Sequence, residues 1–156
     1  MKVARENMSV LESKGRSKLK TLIVEDDFAS FKILEEYLCE YGDCSVAVNG
    51  AETVEAFKKA LDEGQPYDLI CLDIMLPEMN GHLALQEICR IERKYGIADP
   101  DGVKVIMTTA IDDPEDIIKA FKEGCKAYIV KPITREKLLK EMKKLALIES
   151  MEQMQM

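Results

Sequence analysis

Five short apolar runs, each followed by apolar residues at helical spacing, constrain this chain more than any other feature. The runs are Leu22-Ile23-Val24 within 20–24, then 45–48, Leu69 to Leu72, Val103 to Met107 and Ala127 to Val130. The stripes between them are Phe31, Leu34, Leu38 and Tyr41; Ala51, Val54, Phe57 and Leu61; Ala84, Ile88, Ile91 and Tyr95; Ile117, Ala120 and Phe121; and Leu138, Met142 and Leu145. Gly42, Gly64 and Gly124 stop helices; Asp27, the Asp112-Asp113-Pro114 step and Thr134 start them. Asn49-Gly50 reads as a turn. Apolar strands alternating with amphipathic helices predict a parallel sheet covered on both faces. Right-handed crossovers restrict the topology. The expected class is α/β: a doubly wound five-stranded parallel sheet, order 2-1-3-4-5, with five helices.

In such a sheet, ligands sit at the carboxyl ends of the strands, where the order reverses between strands one and three. Strand one ends in Glu25 and Asp26, strand three in Asp73, strand four in Thr109 and strand five in Lys131. Singly, each has an ordinary explanation. The acid run Glu25-Asp26-Asp27 caps a helix and aids solubility, Asp73 caps a turn, Thr109 is a turn hydroxyl and Lys131 a surface lysine. Their shared address on one edge points to chemistry instead. An ionised Asp can accept a phosphoryl group as an aspartyl phosphate. Carboxylates crowded into one crevice call for a hard divalent cation, and Mg²⁺ prefers oxygen ligands. Asp26 and Asp73 are the expected direct ligands, Glu25 acts through water, and the Met75 carbonyl supplies another oxygen. Lys131 is expected to pair with Asp73 at rest and with a phosphoryl oxygen after transfer; the Thr109 hydroxyl meets a second oxygen.

The 156 residues suffice for one domain with a proper core. The expected divisions are a flexible extension over 1–18, the domain over 19–148 and a Met/Gln tail over 149–156. The first 19 residues carry +3 and the remainder −10, a poor balance for nucleic-acid binding by this chain alone. No apolar run approaches a membrane span and the polar start lacks a signal-peptide core, so a cytoplasmic protein without membrane contact is expected. Five scattered cysteines with no CxxC pair fit structural thiols, Cys71 in the core among them, better than disulfides or a metal site.

Together, Leu-Ile-Val-Glu-Asp-Asp at 22–27, Leu-Asp-Ile-Met-Leu-Pro-Glu-Met-Asn-Gly at 72–81, Thr109-Ala110 and Tyr128-Ile-Val-Lys131-Pro132 resemble the response-regulator receiver domains of two-component signalling, in their single-domain, chemotaxis-type form. The resemblance covers 19–148. It implies a flavodoxin-like fold, phosphorylation of Asp73, Mg²⁺ held by the Glu25-Asp26 pair with Asp73, and phosphoryl contacts from Thr109 and Lys131. It also implies an aromatic switch at Tyr128, coupled to Thr109, that alters the face of helix four, strand five and helix five. The implied partners are a sensor histidine kinase or phosphotransfer protein and a downstream protein whose identity the sequence does not give. With no effector domain after helix five, the chain is expected to be a stand-alone receiver or a piece of a longer one. The 96–102 loop is longer than in compact receivers, and its role is open.

Three other classes fit less well. A dehalogenase-like phosphatase needs an Asp two residues after its nucleophile, where Met75 stands. A flavin or nucleotide binder wants a Gly-rich phosphate loop, and no G-x-G-x-x-G or G-K-[ST] occurs. A docking domain that kept only the fold would not need the intact acid, hydroxyl and lysine set. His82, the only histidine, opens helix three, where the dipole disfavours an imidazolium; a surface or capping role is expected. Met75 and Ile111, two residues past the acceptor and the hydroxyl, are expected to flank the path of an attacking water.

Overall fold

The computed structural model describes residues 18–99 and 101–149. The expected N-terminal extension and C-terminal tail lie outside these residues, apart from 18 and 149. Five strands form one parallel sheet in the order β2-β1-β3-β4-β5. They are β1 (Leu19–Val24), β2 (Gly42–Ala47), β3 (Leu69–Leu72), β4 (Lys104–Thr109) and β5 (Ala127–Val130). Five helices connect or follow them: α1 (Phe28–Leu38), α2 (Gly50–Asp62), α3 (Gly81–Lys94), α4 (Pro114–Glu123) and α5 (Arg135–Lys144).

The central strands β1, β3 and β4 are largely buried because both faces of the sheet are covered there, whereas the edge strand β2, Gly-Asp-Cys-Ser-Val-Ala, buries only Ala47. Alternate residues of each strand enter different cores. Leu22, Val24, Ile70, Leu72, Val105 and Met107 pack with Phe57 of α2, Leu85 and Ile88 of α3 and Ala120 of α4. Ile23, Leu69, Cys71, Ile106 and Ile129 pack with Leu34 and Leu38 of α1 and Leu138 and Met142 of α5. β3 lies at the centre, and its four residues are fully buried. Among the described residues, no helix is long and apolar enough to cross a membrane.

Each of these five α-helices has a side-chain N-cap. Asp27, Asn49, Asn80, Asp113 and Thr134 accept from the backbone N–H of Ser30, Glu52, Leu83, Glu115 and Lys137, each satisfying an amide that lacks a helical partner. Asn49 is thus a cap rather than the corner of an isolated turn. β2 starts earlier than the sequence pattern predicts, at Gly42, after a 3₁₀ turn over Cys39–Tyr41. Gly42 pairs with Leu19 at φ 150°, and an added Cβ would meet the Leu19 carbonyl oxygen at 2.0 Å. A side chain there would push β2 off β1.

Three residues of the predicted stripes point elsewhere, Ala51 in the exposed first turn of α2 among them. Phe121 is 46% exposed, since α4 buries Ala120 while its neighbouring inward positions carry polar groups. Tyr95 is 42% exposed, and its hydroxyl is donated to Asp62 at the end of α2. In the 96–102 loop, Ile97 N–H bonds the Glu92 carbonyl and Lys126 pairs with Asp99 at 2.9 Å.

Candidate phosphoacceptor site

Register places the site. Val24 pairs with Leu72, and the ladder continues one residue past each strand: Asp73 N–H bonds the Val24 carbonyl at 3.2 Å and Glu25 N–H bonds the Ala47 carbonyl at 3.0 Å. Glu25 and Asp73 are therefore held side by side at the carboxyl edge. On the other flank, Lys131 N–H bonds the Thr109 carbonyl at 2.8 Å, which carries the lysine over the end of β4. The Lys131-Pro132 peptide bond is cis.

The Lys131 ammonium reaches across to both acids, 2.7 Å from Glu25 Oε1 and 3.0 Å from Asp73 Oδ2. The expected pair is in fact a triad, because Glu25 is only 2% exposed and turns inward rather than toward water. Burial pushes the Glu25 carboxyl above its ordinary pKa and the Asp73 charge adds to this, while the hydrogen bond from Lys131 opposes it. Burial acts to lower Lys131, but its bonds to Glu25 and Asp73 outweigh that and raise it. Two buried carboxylates share one cation, leaving a local excess of negative charge.

Asp73 is 5% exposed, and its other oxygen, Oδ1, accepts from Met75 N–H at 3.2 Å. The turn after it is tightly packed against α3. A Cβ on Gly81 would meet the Asp73 carbonyl oxygen at 2.4 Å, so this close approach requires glycine. Asp26 is exposed beside the triad, whereas Asp27 is committed to capping α1. The Thr109 hydroxyl lies fully buried at the end of β4 and accepts from Ile111 N–H at 3.4 Å. The Met75 side chain is 64% exposed.

Among the described residues, no three His, Cys, Asp or Glu side chains form a preassembled metal cluster. Lys131 stands between the two buried acids. The donor chemistry still suits a hard cation: Glu25, Asp26 and Asp73 offer carboxylate oxygens only, and a single ammonium offsets the two buried ones.

Tyr128, three residues before Lys131, has its hydroxyl 3.0 Å from the Ile111 carbonyl oxygen and 3.0 Å from Asp116 Oδ2. Burial raises its pKa well above the ordinary tyrosine value, and Asp116 raises it further. The ring thus ties β5 to the loop after Thr109 and to α4.

His82 is neither a surface residue nor a cap. It is 5% exposed; Nε2 lies 2.9 Å from Asp116 Oδ1, and Nδ1 meets Glu123 Oε1. The helix start of α3 does not leave the imidazole at the surface, because α4 packs against it and brings two carboxylates to its two nitrogens. Sequence reasoning missed Asp116 and Glu123. Their seven-residue spacing on one face of α4 was a signal, but nothing local showed that this face meets His82.

Residues 21–143 match the response regulator receiver domain. The chain is 34% identical over 128 residues to the chemotaxis protein CheY of Listeria monocytogenes, covering 82% of this chain and 98% of that one. It is 33% identical over 127 residues to hybrid signal transduction histidine kinase L of Dictyostelium discoideum, covering 80% of this chain but 7% of that much longer protein. The solved complex of the Saccharomyces cerevisiae phosphotransfer protein Ypd1 with the Ssk1 receiver domain contains a similar fold, with TM-score 0.72, 30% identity, and 83% and 90% coverage of this chain and that one. So does the CheX-CheY-BeF3-Mg²⁺ complex from Borrelia burgdorferi, with TM-score 0.71, 26% identity, and 82% and 89% coverage. With its acid, hydroxyl and lysine at the ends of the expected strands, the chain belongs to the response regulator receiver domain family.

Proposed function

We propose that this chain is a phospho-accepting switch of a two-component phosphorelay, with Asp73 as the acceptor. The observation that carries the reading is the buried Asp73 carboxylate at the tip of the central strand, 3.0 Å from Lys131 and sharing that cation with Glu25. The donor is a phosphohistidine of a sensor histidine kinase or phosphotransfer protein, in keeping with the Ypd1 complex of a similar receiver. An Asp73 carboxylate oxygen attacks phosphorus; the new P–O bond forms as the P–N bond to the donor imidazole breaks, and the imidazole retains the bonding electron pair. Lys131 is free to follow the charge from the carboxylate to a phosphoryl oxygen, and the Thr109 hydroxyl meets another once it swings from its bond with Ile111. The residues that would hold Mg²⁺ are Asp26 and Asp73 directly, Glu25 through water, and the Met75 carbonyl. When bound, the ion neutralises developing charge on the transferred oxygens.

The product carries about −1.5 to −2 charge at the edge of the sheet. Movement of Thr109 shifts the Ile111 carbonyl on which Tyr128 rests, so Thr109 and Tyr128 pass the change to the face of α4, β5 and α5. Ile118 and Phe121 are exposed on α4 and offer an apolar surface to a downstream protein. The chain acts as a phosphoacceptor that assists its own phosphorylation rather than as an enzyme on a separate substrate, and it works in the cytoplasm. Incubation with a small phosphodonor and Mg²⁺, followed by intact mass measurement, tests this. One acid-stable, base-labile phosphoryl group is expected on the wild type and none on Asp73→Asn. Labelling of that variant to the wild-type extent would move the acceptor elsewhere.

A further inference from the structure

A chain of polar groups, exposed at Gln86, buried at His82 and half-buried at Glu123, Asp116 and Tyr128, runs from α3 through α4 to the ring of Tyr128. Gln86 Nε2 donates to Glu123 Oε2 at 2.7 Å, Glu123 Oε1 meets His82 Nδ1, His82 Nε2 meets Asp116 Oδ1 at 2.9 Å, and Asp116 Oδ2 lies 3.0 Å from the Tyr128 hydroxyl. His82, Asp116 and Glu123 side chains are only 6%, 20% and 12% exposed. Such a cluster costs free energy to bury unless each member is satisfied.

Hydrogen-bond counting fixes what the cluster requires. Each His82–carboxylate contact needs one proton between nitrogen and oxygen. A neutral imidazole with two carboxylates has one such proton, and the geometry has two contacts. Making both contacts as hydrogen bonds at once takes one extra proton. Without it, a nitrogen lone pair faces a carboxylate oxygen, and one contact must open.

We propose that His82 is a positioning residue for the Tyr128 switch: with the extra proton, it fixes Asp116 so that the carboxylate anchors the Tyr128 hydroxyl. The inference rests on the reading of Tyr128 as the switch. Gln86 restrains Glu123 on one side, and the Cys89 thiol donates to the Glu123 carbonyl at 3.3 Å, so α4 is pinned to α3 at its C-terminal end. The titratable groups around the imidazole are Asp116 and Glu123 of α4. Tyr128 of β5 stands behind Asp116, and Cys89 of α3 beside Glu123; Asp112 and Cys125 bear on Tyr128 itself. Loss of the proton as pH rises releases one of the two carboxylates. Release of Asp116 leaves Tyr128 with only the Ile111 carbonyl, so the anchored ring goes with the cluster in which both imidazole contacts are made.

Because His82 is the only histidine, its imidazole resonances need no assignment. The experiment follows those resonances and the ring resonances of Tyr128, in tyrosine-labelled unphosphorylated protein, between about pH 5 and 9. In the wild type, the Tyr128 shifts are expected to track His82 with a common midpoint. His82→Gln should abolish that pH-dependent component. Asp116→Asn provides a second readout should His82→Gln fail to fold: His82 should still titrate against Glu123, while Tyr128 no longer follows. The proposal is overturned if Tyr128 shows the same pH profile with and without His82, if His82 titrates while Tyr128 stays still, or if His82 does not titrate in this range. No phosphoryl transfer is involved, so failure here is distinct from failure of Asp73 to accept phosphate.

Discussion

Replacing Lys131 with methionine removes the one cation between two buried carboxylates and leaves its volume largely filled. Glu25 and Asp73 oxygens lie 2.7 and 3.0 Å from the same nitrogen, so they are within about 6 Å of each other. At an effective dielectric constant of ~20, two unit charges at that separation repel by about 3 kcal/mol. Loss of one partner from a buried ion pair costs about 3–5 kcal/mol. The Lys131 side chain is 23% exposed, so water reaches the site and the low end applies: a loss of about 3 kcal/mol at neutral pH. The sign of the pH dependence follows from Glu25, whose pKa burial already raises. Removing the opposing ammonium raises it further. An acid with a raised folded pKa stabilises the fold as pH falls through that value toward the unfolded one. Lys131→Met should therefore regain stability on acidification to about pH 5, and regain more than the wild type does. Urea unfolding of the wild type, Lys131→Met and Lys131→Met/Glu25→Gln at both pH values measures this. The double variant should recover most of the loss at neutral pH. A single variant within about 0.5 kcal/mol of wild type, or one with an unchanged pH slope, would refute the shared-cation account.

Two further outcomes concern the same edge. Asp26→Ala should weaken Mg²⁺ binding more than Asp27→Ala, because Asp26 is exposed beside the triad while Asp27 is spent on the Ser30 cap; the reverse order in a metal titration would shift the ligand assignment by one residue. The phosphoaspartate should be long-lived, since neither Met75 nor Ile111 can orient an attacking water, and a positioned proton acceptor commonly contributes about 10²–10⁴-fold. Met75→Asn and Ile111→Glu should both speed its decay, measured on purified phosphoprotein, and unchanged rates would show that these side chains leave water access alone.

The sequence by itself determined the order of elements and the addresses of the site residues. Period-2 and period-3.6 patterns are local, and strands buried on both faces admit few arrangements, so Glu25, Asp73, Thr109 and Lys131 could be placed on one edge from strand ends alone. Caps were equally legible at Asp27, Asp113 and Thr134, because the capping bond spans only two or three residues. The tertiary structure decided which groups touch. That Lys131 serves Glu25 as well as Asp73 depends on β1 and β3 register and on a reach of 106 residues. That His82 is buried depends on the packing of α3 against α4, which turns a residue at a helix start toward two carboxylates 34 and 41 residues away. Local patterns carry the periodicity of a face. The partner of that face, and the carboxylates that a buried group meets there, are set by how helices pack.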